Sequence, residues 1–397
     1  MIPTRTTRKI RVGNAFIGGD APILVQTMNA TKTRDVDAAV ASVERLARAG
    51  AGLIRIAVDT VADADALAQI RRRVDANLSV DLQENFRLAE KVAPWVDKIR
   101  YNPGRLHYVE PDVPWRQKVE YLADVARRFD CALRVGVNCG SVDPRILEQR
   151  AAASKDEDSE TLDPILVSAL EHVDFLESIG FLRFCVSIKD SNPAVVLRVN
   201  RAFAALRPHI PLHLGVTEAG APPRGVLKTR VALEPLLAEG VGDTLRVSLT
   251  VPASQKEAEI IAANEILDNV KNGVVASPEA LDDVALNLAS CPSCSRVENE
   301  RFVELAREIE KATVFARDYP FKIAVMGCRV NGPGETNDAD VGLWCGGDRV
   351  NLTSDGKIVG SYDYDEIVDK ATELLKRKIE IFNAAQIEKF GDDQYVV

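Results

Sequence analysis

Three cysteines lie in turn-rich sequence in the last third of the chain and are candidate metal ligands. Cys291 and Cys294 form a C-P-S-C pair, and Cys328 is the second residue of the segment GCRVNGPGE at 327–335. A C-x-x-C pair is typical of a redox dithiol, of half a zinc site, or of a clamp for an iron–sulfur cluster. The residues around the pair decide between these three.

The surroundings of the pair favour a cluster. The preceding segment 281–290 is predicted to be helical, whereas a thioredoxin-like dithiol follows a strand and opens a helix. A tetrahedral zinc site needs a second closely spaced pair of ligands, and no histidine follows His213. Three thiolates and one weaker ligand suit a [4Fe–4S] cluster with a reactive fourth iron.

Two residues compete for the fourth position on such a cluster. Glu335 follows Cys328 across a loop rich in glycine and proline. Its carboxylate is a hard, exchangeable ligand whose displacement would leave one iron able to bind a substrate oxygen. Cys345 would instead close the cluster and leave it an electron carrier. The sequence favours Glu335 as ligand and catalytic residue, with Cys345 as the alternative.

A second set of polar residues interrupts short apolar runs in the first two thirds of the chain. They stand toward the carboxyl ends of predicted strands: Arg55, Asp81, Arg100, Asn102, Arg134, Asn138, Lys189, His213, Arg246 and Ser248. Asp81 is the only obvious partner for the five cations, and unpaired buried charge is costly. Because arginine binds phosphate oxygens bidentately, the set predicts a ligand with two phosphoryl groups.

His213 and Glu218 lie close together in LHLGVTEAG, at the end of one of these runs. An imidazole and a carboxyl group at the mouth of a barrel can donate protons or bind hydroxyl groups. Glu218 could also stabilise the first turn of the following helix, and the two roles are compatible.

The elements that must position these residues alternate along the chain. Amphipathic stretches such as 36–50 separate eight apolar runs, at 23–28, 53–58, 78–83, 98–102, 133–138, 182–188, 212–217 and 245–250. Eight strand–helix units predict a (β/α)8 TIM barrel, an α/β fold with its active site at the carboxyl ends of the strands. The segment 8–22 predicts a hairpin with a Gly-Gly turn that caps the bottom of the barrel.

The pattern changes near residue 270, which predicts a substrate-binding barrel domain over 1–270 and a smaller cluster-binding α+β domain over 271–397. The second domain is predicted to contain helices at 295–313 and 365–382 and strands at 321–327, 341–346 and 349–361. The acidic segment 154–160 is predicted to be a solvated loop that could cover the barrel mouth. Cys131, Cys139 and Cys185 lie in apolar runs and are predicted to be buried.

Charge and composition exclude several classes of protein. The chain has 397 residues and a net charge of −9, which argues against a general nucleic-acid or anionic-membrane surface. The sequence shows no apolar signal-peptide core and no membrane-spanning run, so we expect a cytoplasmic protein. Cysteines in that compartment are rarely disulfide-bonded.

Five segments resemble the 4-hydroxy-3-methylbut-2-en-1-yl diphosphate synthase family of the non-mevalonate isoprenoid pathway. They span nearly the whole chain and keep the family order: 20-DAPILVQTMNATKTRD-35, 212-LHLGVTEAG-220, 242-GDTLRVSLT-250, 290-SCPSCSR-296 and 327-GCRVNGPGE-335. The resemblance implies a two-domain, bacterial-type oxidoreductase. Its implied reaction is reductive ring opening and dehydroxylation of 2-C-methyl-D-erythritol 2,4-cyclodiphosphate to (E)-4-hydroxy-3-methylbut-2-enyl diphosphate.

The resemblance also implies roles for individual residues. It assigns the [4Fe–4S] cluster to Cys291, Cys294, Cys328 and Glu335, and so disfavours Cys345. It assigns the cyclic diphosphate to Arg55, Arg100, Arg134, Asn138, Lys189, His213, Arg246 and Ser248. Asp81 and Glu218 match the acids of the barrel mouth, and Glu218 is our candidate proton donor. Flavodoxin or ferredoxin is implied as electron donor, and so is a homodimer in which each cluster domain closes over the partner's barrel.

Three positions near the predicted site depart from the family pattern. Gln83 stands where a histidine is common, Cys139 where a small residue is usual, and Asp190 follows Lys189. Two other classes of protein stay open. One is a pterin-dependent methyl-transfer barrel, which would not need the cysteines, and the other is a non-catalytic module that binds zinc or a cluster.

Overall fold

The computed structural model describes residues 2, 5–153, 162–277, 281, 285–329 and 332–390, without the side chains of 151–153 and 386–390. The chain divides into two compact units, Met1–Ala280 with Pro292–Arg296, and Leu281–Cys291 with Val297–Val397. Within the described ranges, no helix is both long enough and apolar enough to cross a membrane. The predicted loop at 154–160 lies outside the described residues.

The first unit opens with an antiparallel hairpin of β1 (Ile10–Val12) and β2 (Ala15–Ile17). Its turn is formed by Gly13 and Asn14, and Gly13 has a φ of +60°, which favours glycine. The hairpin was therefore predicted correctly, but its turn was wrongly assigned to the Gly-Gly pair. The apolar side chains of the hairpin pack against the amino ends of barrel strands, and so cover the bottom of the barrel as predicted.

Eight parallel strands form the barrel of the first unit. They are β3 (Leu24–Met28), β4 (Leu53–Ala57), β5 (Leu78–Leu82), β6 (Lys98–Tyr101), β7 (Ala132–Asn138), β8 (Phe184–Lys189), β9 (His213–Leu214) and β10 (Thr244–Leu245). Their order in the sheet is β8-β7-β6-β5-β4-β3-β10-β9, and a bridge from Val186 to Leu212 closes the ring. The predicted TIM barrel is confirmed, and each strand coincides with a predicted run to within one residue at its ends, apart from runs that extend beyond the shorter strands.

Helices alternate with these strands, as the amphipathic stretches predicted. They are α1 (Val36–Arg48), α2 (Val61–Arg71), α3 (Ala89–Val92), α4 (Trp115–Arg128), α5 (Pro144–Ala153), α6 (Pro164–Ser178), α7 (Pro193–Leu206), α8 (Arg224–Ala238) and α9 (Ala258–Lys271). In α1, Asp35 accepts the N–H of Ala38, and a stripe including Val43 and Leu46 is buried. Each such aliphatic side chain contributes roughly 1.5–3 kcal/mol by leaving water.

In its described residues, the second unit is a mixed five-stranded sheet with three α-helices. Its strands are β11 (Asn287–Ser290), β12 (Lys322–Met326), β13 (Val341–Cys345), β14 (Arg349–Ser354) and β15 (Lys357–Asp363), and its helices are α10 (Arg301–Ala312), α11 (Gly332–Asn337) and α12 (Ile367–Phe390). The first three strands are parallel, and the last two add antiparallel. The predicted α+β class is confirmed.

Several local predictions in the second unit were wrong. Residues 287–290 form a strand, because pairing with β12 overrides their helix-like pattern. The end of the predicted glycine loop is the short helix α11. The run 349–361 is two strands joined by a turn at Asp355 and Gly356. In the first unit, Cys131 and Cys185 are buried as predicted, whereas Cys139 is only half-buried.

Candidate functional site

Strand register brings the charged barrel residues side by side. Asp81, Arg100 and Arg134 are direct neighbours on β5, β6 and β7, and Asn138 lies beside Lys189 on β7 and β8. Adjacent strands are about 4.8 Å apart, so these side chains share one small volume. The predicted barrel residues are buried, apart from the partly exposed Arg55 and Asn138.

Arg100 is held by three acceptors. Its Nη1 donates to Asp81 Oδ1 at 2.8 Å and to Gln83 Oε1, and its Nη2 donates to the carbonyl of Gly136 at 2.9 Å. A Cβ at position 136 would lie 2.2 Å from Arg100 Nε, so the glycine makes room for the guanidinium. Gln83, one of the departures from the family pattern, therefore orients a predicted ligand-binding arginine.

Arg296, which ends the C-P-S-C-S-R segment, makes ion pairs with two barrel carboxylates. Its Nε and Nη2 donate to the two oxygens of Asp59, each at 2.7 Å, and its Nη1 donates to Asp81 Oδ2 at 3.1 Å. Burial by itself would raise the pKa of Asp81, but Arg100, Arg55 and Arg296 hold it well below its usual range. Sequence analysis missed Arg296 and Asp59, although the position of Arg296 directly after the cysteine pair was a signal.

Cations outnumber their partners at this mouth. Arg134 is 2% exposed, and its guanidinium makes neither a hydrogen bond nor an ion pair within the described part of the chain. Burial, together with Arg55 and Arg100, holds its pKa well below the usual value. Burial and neighbouring cations also lower the pKa of Arg55 to about 10, against an opposing effect of Asp81. This arrangement suits an anionic ligand, which would supply the missing counter-charge.

Lys189 and His213 form a close pair beside these arginines. Lys189 Nζ lies 3.2 Å from His213 Nε2, and both residues are buried. Burial and then nearby cations lower the pKa of Lys189 well below its usual value, and burial and Lys189 do the same for His213. Gly215 leaves space for the amine, since a Cβ there would lie 2.5 Å from Lys189 Nζ. The imidazole is therefore a neutral hydrogen-bonding group.

Arg246 is oriented by Glu259, a fully buried residue of α9 that sequence analysis missed. Glu259 Oε1 lies 3.3 Å from Arg246 Nη2 and 2.7 Å from Lys256 Nζ, and its Oε2 accepts from Thr27 Oγ1 at 2.9 Å. Burial would raise the pKa of Glu259, but Arg246 and Lys256 lower it overall. A carboxylate at this helix position carried no sequence signal, because its partners lie on other elements.

Lys98 is a further residue that sequence analysis missed. It starts β6, is fully buried, and donates from Nζ to Gln26 Oε1 at 3.0 Å. Burial lowers its pKa to about 7, with Arg134 and Arg55 adding to the effect and Cys185 opposing it. Lys98 is therefore only partly charged near neutral pH.

The remaining predicted residues of the mouth differ in setting. Asn102 bonds its own loop and the loop after β7, since its Oδ1 accepts from Gly104 N at 3.2 Å and its Nδ2 donates to Ser141 Oγ at 2.8 Å. Ser248 is buried beyond β10. Glu218 is fully buried with a φ of +53°, and because α8 begins only at Arg224, it is not a first-turn acid of that helix.

In the second unit, Cys291 and Cys328 lie at the carboxyl ends of neighbouring parallel strands. Cys291 follows β11, and Cys328 follows β12 after Gly327. The N–H of Gly327 donates to Cys291 Sγ at 3.2 Å. Both cysteines are 3% exposed, and Glu335, on α11, is 4% exposed. A buried sulfur that accepts a backbone N–H is typical of an iron–sulfur ligand.

Cys294 falls in the segment Pro292–Arg296 of the first unit and is half-buried. Among the described residues, no group of three or more His, Cys, Asp or Glu side chains is placed to hold a metal ion. The donor chemistry of Cys291, Cys294, Cys328 and Glu335 nevertheless fits an iron–sulfur cluster, because thiolates are its usual ligands.

Cys345 has a different environment. It lies on β13 with no exposed surface, inside the apolar core of the second unit. Burial raises the pKa of its thiol to about 12. The assignment of Glu335 rather than Cys345 as the fourth ligand stays a prediction. The prediction that a helix precedes the C-P-S-C pair was wrong, because Cys291 follows strand β11. The pair still differs from a thioredoxin-like dithiol, because the next α-helix, α10, begins only at Arg301.

These features define a (β/α)8-barrel protein with a cation-lined mouth, joined to an α+β unit with cysteines at its strand ends. A model described as the GcpE TIM-barrel domain matches residues 7–264, and one described as the GcpE protein C-terminal domain matches residues 287–377. The chain belongs to the GcpE family.

Relatives named 4-hydroxy-3-methylbut-2-en-1-yl diphosphate synthase (flavodoxin) match nearly end to end. The one from Rhodopirellula baltica is 53% identical over 380 residues, which are 96% of this chain and 97% of the relative. The one from Acinetobacter baumannii is 36% identical over 386 residues, which are 97% and 96%. The predicted family is confirmed, and neither the pterin-dependent barrel nor the zinc module gains support from these relatives.

Among solved structures, a dihydropteroate synthase from Stenotrophomonas maltophilia matches with a TM-score of 0.46 and 14% identity, covering 67% of this chain and 98% of that one. A likeness this distant carries no argument about function.

Proposed function

We propose that this protein is an iron–sulfur oxidoreductase of isoprenoid biosynthesis. Its reaction is the conversion of 2-C-methyl-D-erythritol 2,4-cyclodiphosphate into (E)-4-hydroxy-3-methylbut-2-enyl diphosphate. The names of relatives at 53% and 36% identity support this reaction. The observation that carries the proposal is the excess of cations at the barrel mouth, above all the buried Arg134. A cyclic diphosphate brings two phosphoryl groups that neutralise these cations.

The barrel residues, within a domain over 1–270, bind and orient the substrate. The diphosphate oxygens are held by Arg55, Arg100, Arg134, Lys189 and Arg246. Asp81 and Glu259 orient two of these arginines through ion pairs. Asn138, His213 and Ser248 add neutral hydrogen-bonding groups, and Asn102 shapes the adjacent loop. The bound anion favours the protonated amine and therefore raises the pKa of Lys189.

The cofactor is a [4Fe–4S] cluster held by Cys291, Cys294, Cys328 and Glu335, mainly within a domain over 271–397. When bound, it supplies electrons one at a time and an iron that acts as a Lewis acid. The Gly327 N–H that reaches Cys291 Sγ stabilises the negative charge of that sulfur. Glu335 is the exchangeable ligand, because a carboxylate binds iron less firmly than a thiolate.

Glu218 is the proton donor. The reaction consumes two electrons and two protons, opens the ring, and releases the substrate hydroxyl group as water. A carboxyl oxygen of Glu218 protonates this leaving oxygen. Its burial and its φ of +53° support the assignment, because they hold the carboxyl group in one place beyond β9.

Flavodoxin is the proposed electron donor, on the strength of the relatives' names. A cytoplasmic location and a homodimer, in which each cluster domain serves the partner's barrel, complete the proposal.

The test is turnover of the cyclodiphosphate by anaerobically purified, cluster-loaded protein supplied with reduced flavodoxin or dithionite. We expect the linear diphosphate as product. Absence of conversion by a protein whose cluster is seen by Mössbauer spectroscopy would refute the proposed reaction. Stoichiometric zinc without iron in the same protein would instead support the non-catalytic module.

A further inference from the structure

One residue of the second unit, Glu298, binds the backbone on both sides of Cys328. The N–H of Glu298 donates to the carbonyl of Gly327 at 3.0 Å. The N–H of Arg329 donates to Glu298 Oε1 at 3.2 Å, across 31 residues of sequence. Cys328 is therefore bracketed by a main-chain bond before it and a side-chain bond after it.

The residue before Cys328 is fixed from two further directions. The N–H of Gly327 donates to Cys291 Sγ at 3.2 Å, so the same residue connects both buried cysteines. A Cβ on Gly327 would lie 2.9–3.1 Å from the ring of Phe302, so the backbone packs against that ring. On this side the position of Cys328 is set by packing.

On the other side, two hydrogen bonds hold the chain after Cys328. The N–H of Gly332 donates to the carbonyl of Cys328 at 2.8 Å, and the side chain of Glu298 accepts the N–H of Arg329. The backbone of Glu298 does not depend on that bond, because Asn299 anchors the segment independently. Asn299 Nδ2 donates to the carbonyl of Gly347 at 2.6 Å, and its Oδ1 accepts the N–H of Arg301 at 3.0 Å. Replacing the Glu298 side chain should therefore release Arg329 without unfolding the unit.

We propose that Glu298 is a positioning residue for Cys328, whose carboxylate holds the loop after the cysteine and so fixes the direction of the thiolate. This inference rests on the proposed function, since the group that Cys328 receives is the proposed cluster. Glu298 is exposed and is not a ligand. Its effect passes through one backbone N–H.

The variants distinguish the effect of losing the hydrogen-bond acceptor from the effect of losing the negative charge. Glu298→Ala and Glu298→Lys both remove the acceptor, and the lysine variant keeps a long side chain. Glu298→Gln keeps an acceptor oxygen without the charge. The matched control is Glu304→Ala, which removes an exposed carboxylate from α10 of the same unit.

Two measurements use cluster-free protein, and one uses cluster-loaded protein. In Glu298→Ala and Glu298→Lys we expect the Arg329 amide to exchange about tenfold faster, the factor that corresponds to roughly 1.4 kcal/mol. We expect Cys328 to be alkylated faster, and iron to pass to a chelator faster by a similar factor. Glu298→Gln and Glu304→Ala should keep the wild-type rates.

Each outcome decides the inference. Wild-type rates in Glu298→Ala and Glu298→Lys would overturn it, and so would faster amide exchange with unchanged alkylation of Cys328. If these rates rise in Glu304→Ala as much as in Glu298→Ala, the effect comes from the loss of any exposed negative charge, and the inference is also overturned. A wild-type protein that assembles no cluster would refute the proposed function, while the alkylation rates would still decide whether Glu298 positions Cys328.

Discussion

Replacement of Arg134 by methionine should weaken ligand binding and stabilise the ligand-free protein. Arg134 is buried among cations, and the described residues offer its guanidinium neither a hydrogen bond nor an ion pair. Its charge therefore costs folding free energy that only an anionic ligand offsets. A methionine of similar length fills the same space without a charge.

The two effects can be given magnitudes. Exchange of a buried charge for an apolar side chain of similar volume stabilises by about 1–4 kcal/mol. That corresponds to a Tm higher by about 2 °C or more. The lost charge-assisted bonds to a phosphoryl group are worth about 1.5–3 kcal/mol, so Kd should rise about tenfold to a hundredfold.

Arg100→Met is the matched control for the same ligand. It also removes a cation, but Arg100 is paired with Asp81 at 2.8 Å. Breaking a buried pair costs about 3–5 kcal/mol, and the cost here is smaller because Arg296 still pairs with Asp81. Arg100→Met should therefore lower both affinity and Tm. Calorimetric melting without ligand and titration with the cyclodiphosphate measure the two effects. Equal destabilisation by Arg134→Met and Arg100→Met, or an unchanged Kd in Arg134→Met, would refute the reasoning.

Three further predictions concern other parts of the chain. Lys98 has a pKa of about 7 when folded and 10.5 ordinarily, so the unfolded chain binds more protons between these values and wild-type stability rises with pH there. Below pH 7, Lys98→Met should have an unfolding free energy higher than that of wild type by at most roughly 5 kcal/mol, and this difference should shrink as the pH rises above 7. A difference in urea unfolding that is constant with pH would contradict this. Glu259→Gln should lower the unfolding free energy by about 3–5 kcal/mol, because it leaves the buried cations Lys256 and Arg246 uncompensated. A thermal melt equal to that of wild type would argue against a stabilising role of these ion pairs. Cys345→Ala should keep its iron and its activity, whereas Glu335→Ala should assemble the cluster on three thiolates and lose most activity; iron loss in Cys345→Ala would reverse the assignment of the fourth ligand.

Errors of the sequence analysis concentrate in the second unit, where tertiary pairing overrides local pattern. Residues 287–290 look helical by spacing, but they join β12 as a parallel strand. The glycine-rich loop ends in α11. The hairpin turn at Gly13 was missed for a similar reason, because two glycine signals competed and strand pairing chose between them.

The sequence by itself determined the barrel and the place of its charges. Alternation of apolar runs with amphipathic stretches is a local property, and the carboxyl ends of parallel strands meet at one edge whatever the details of packing. Only the tertiary structure decided which charges are compensated. Asp59, Glu259 and Arg296 reach the mouth from a loop, a helix and a distant segment. Ion pairing depends on distances between residues far apart in the chain, and local sequence does not contain those distances.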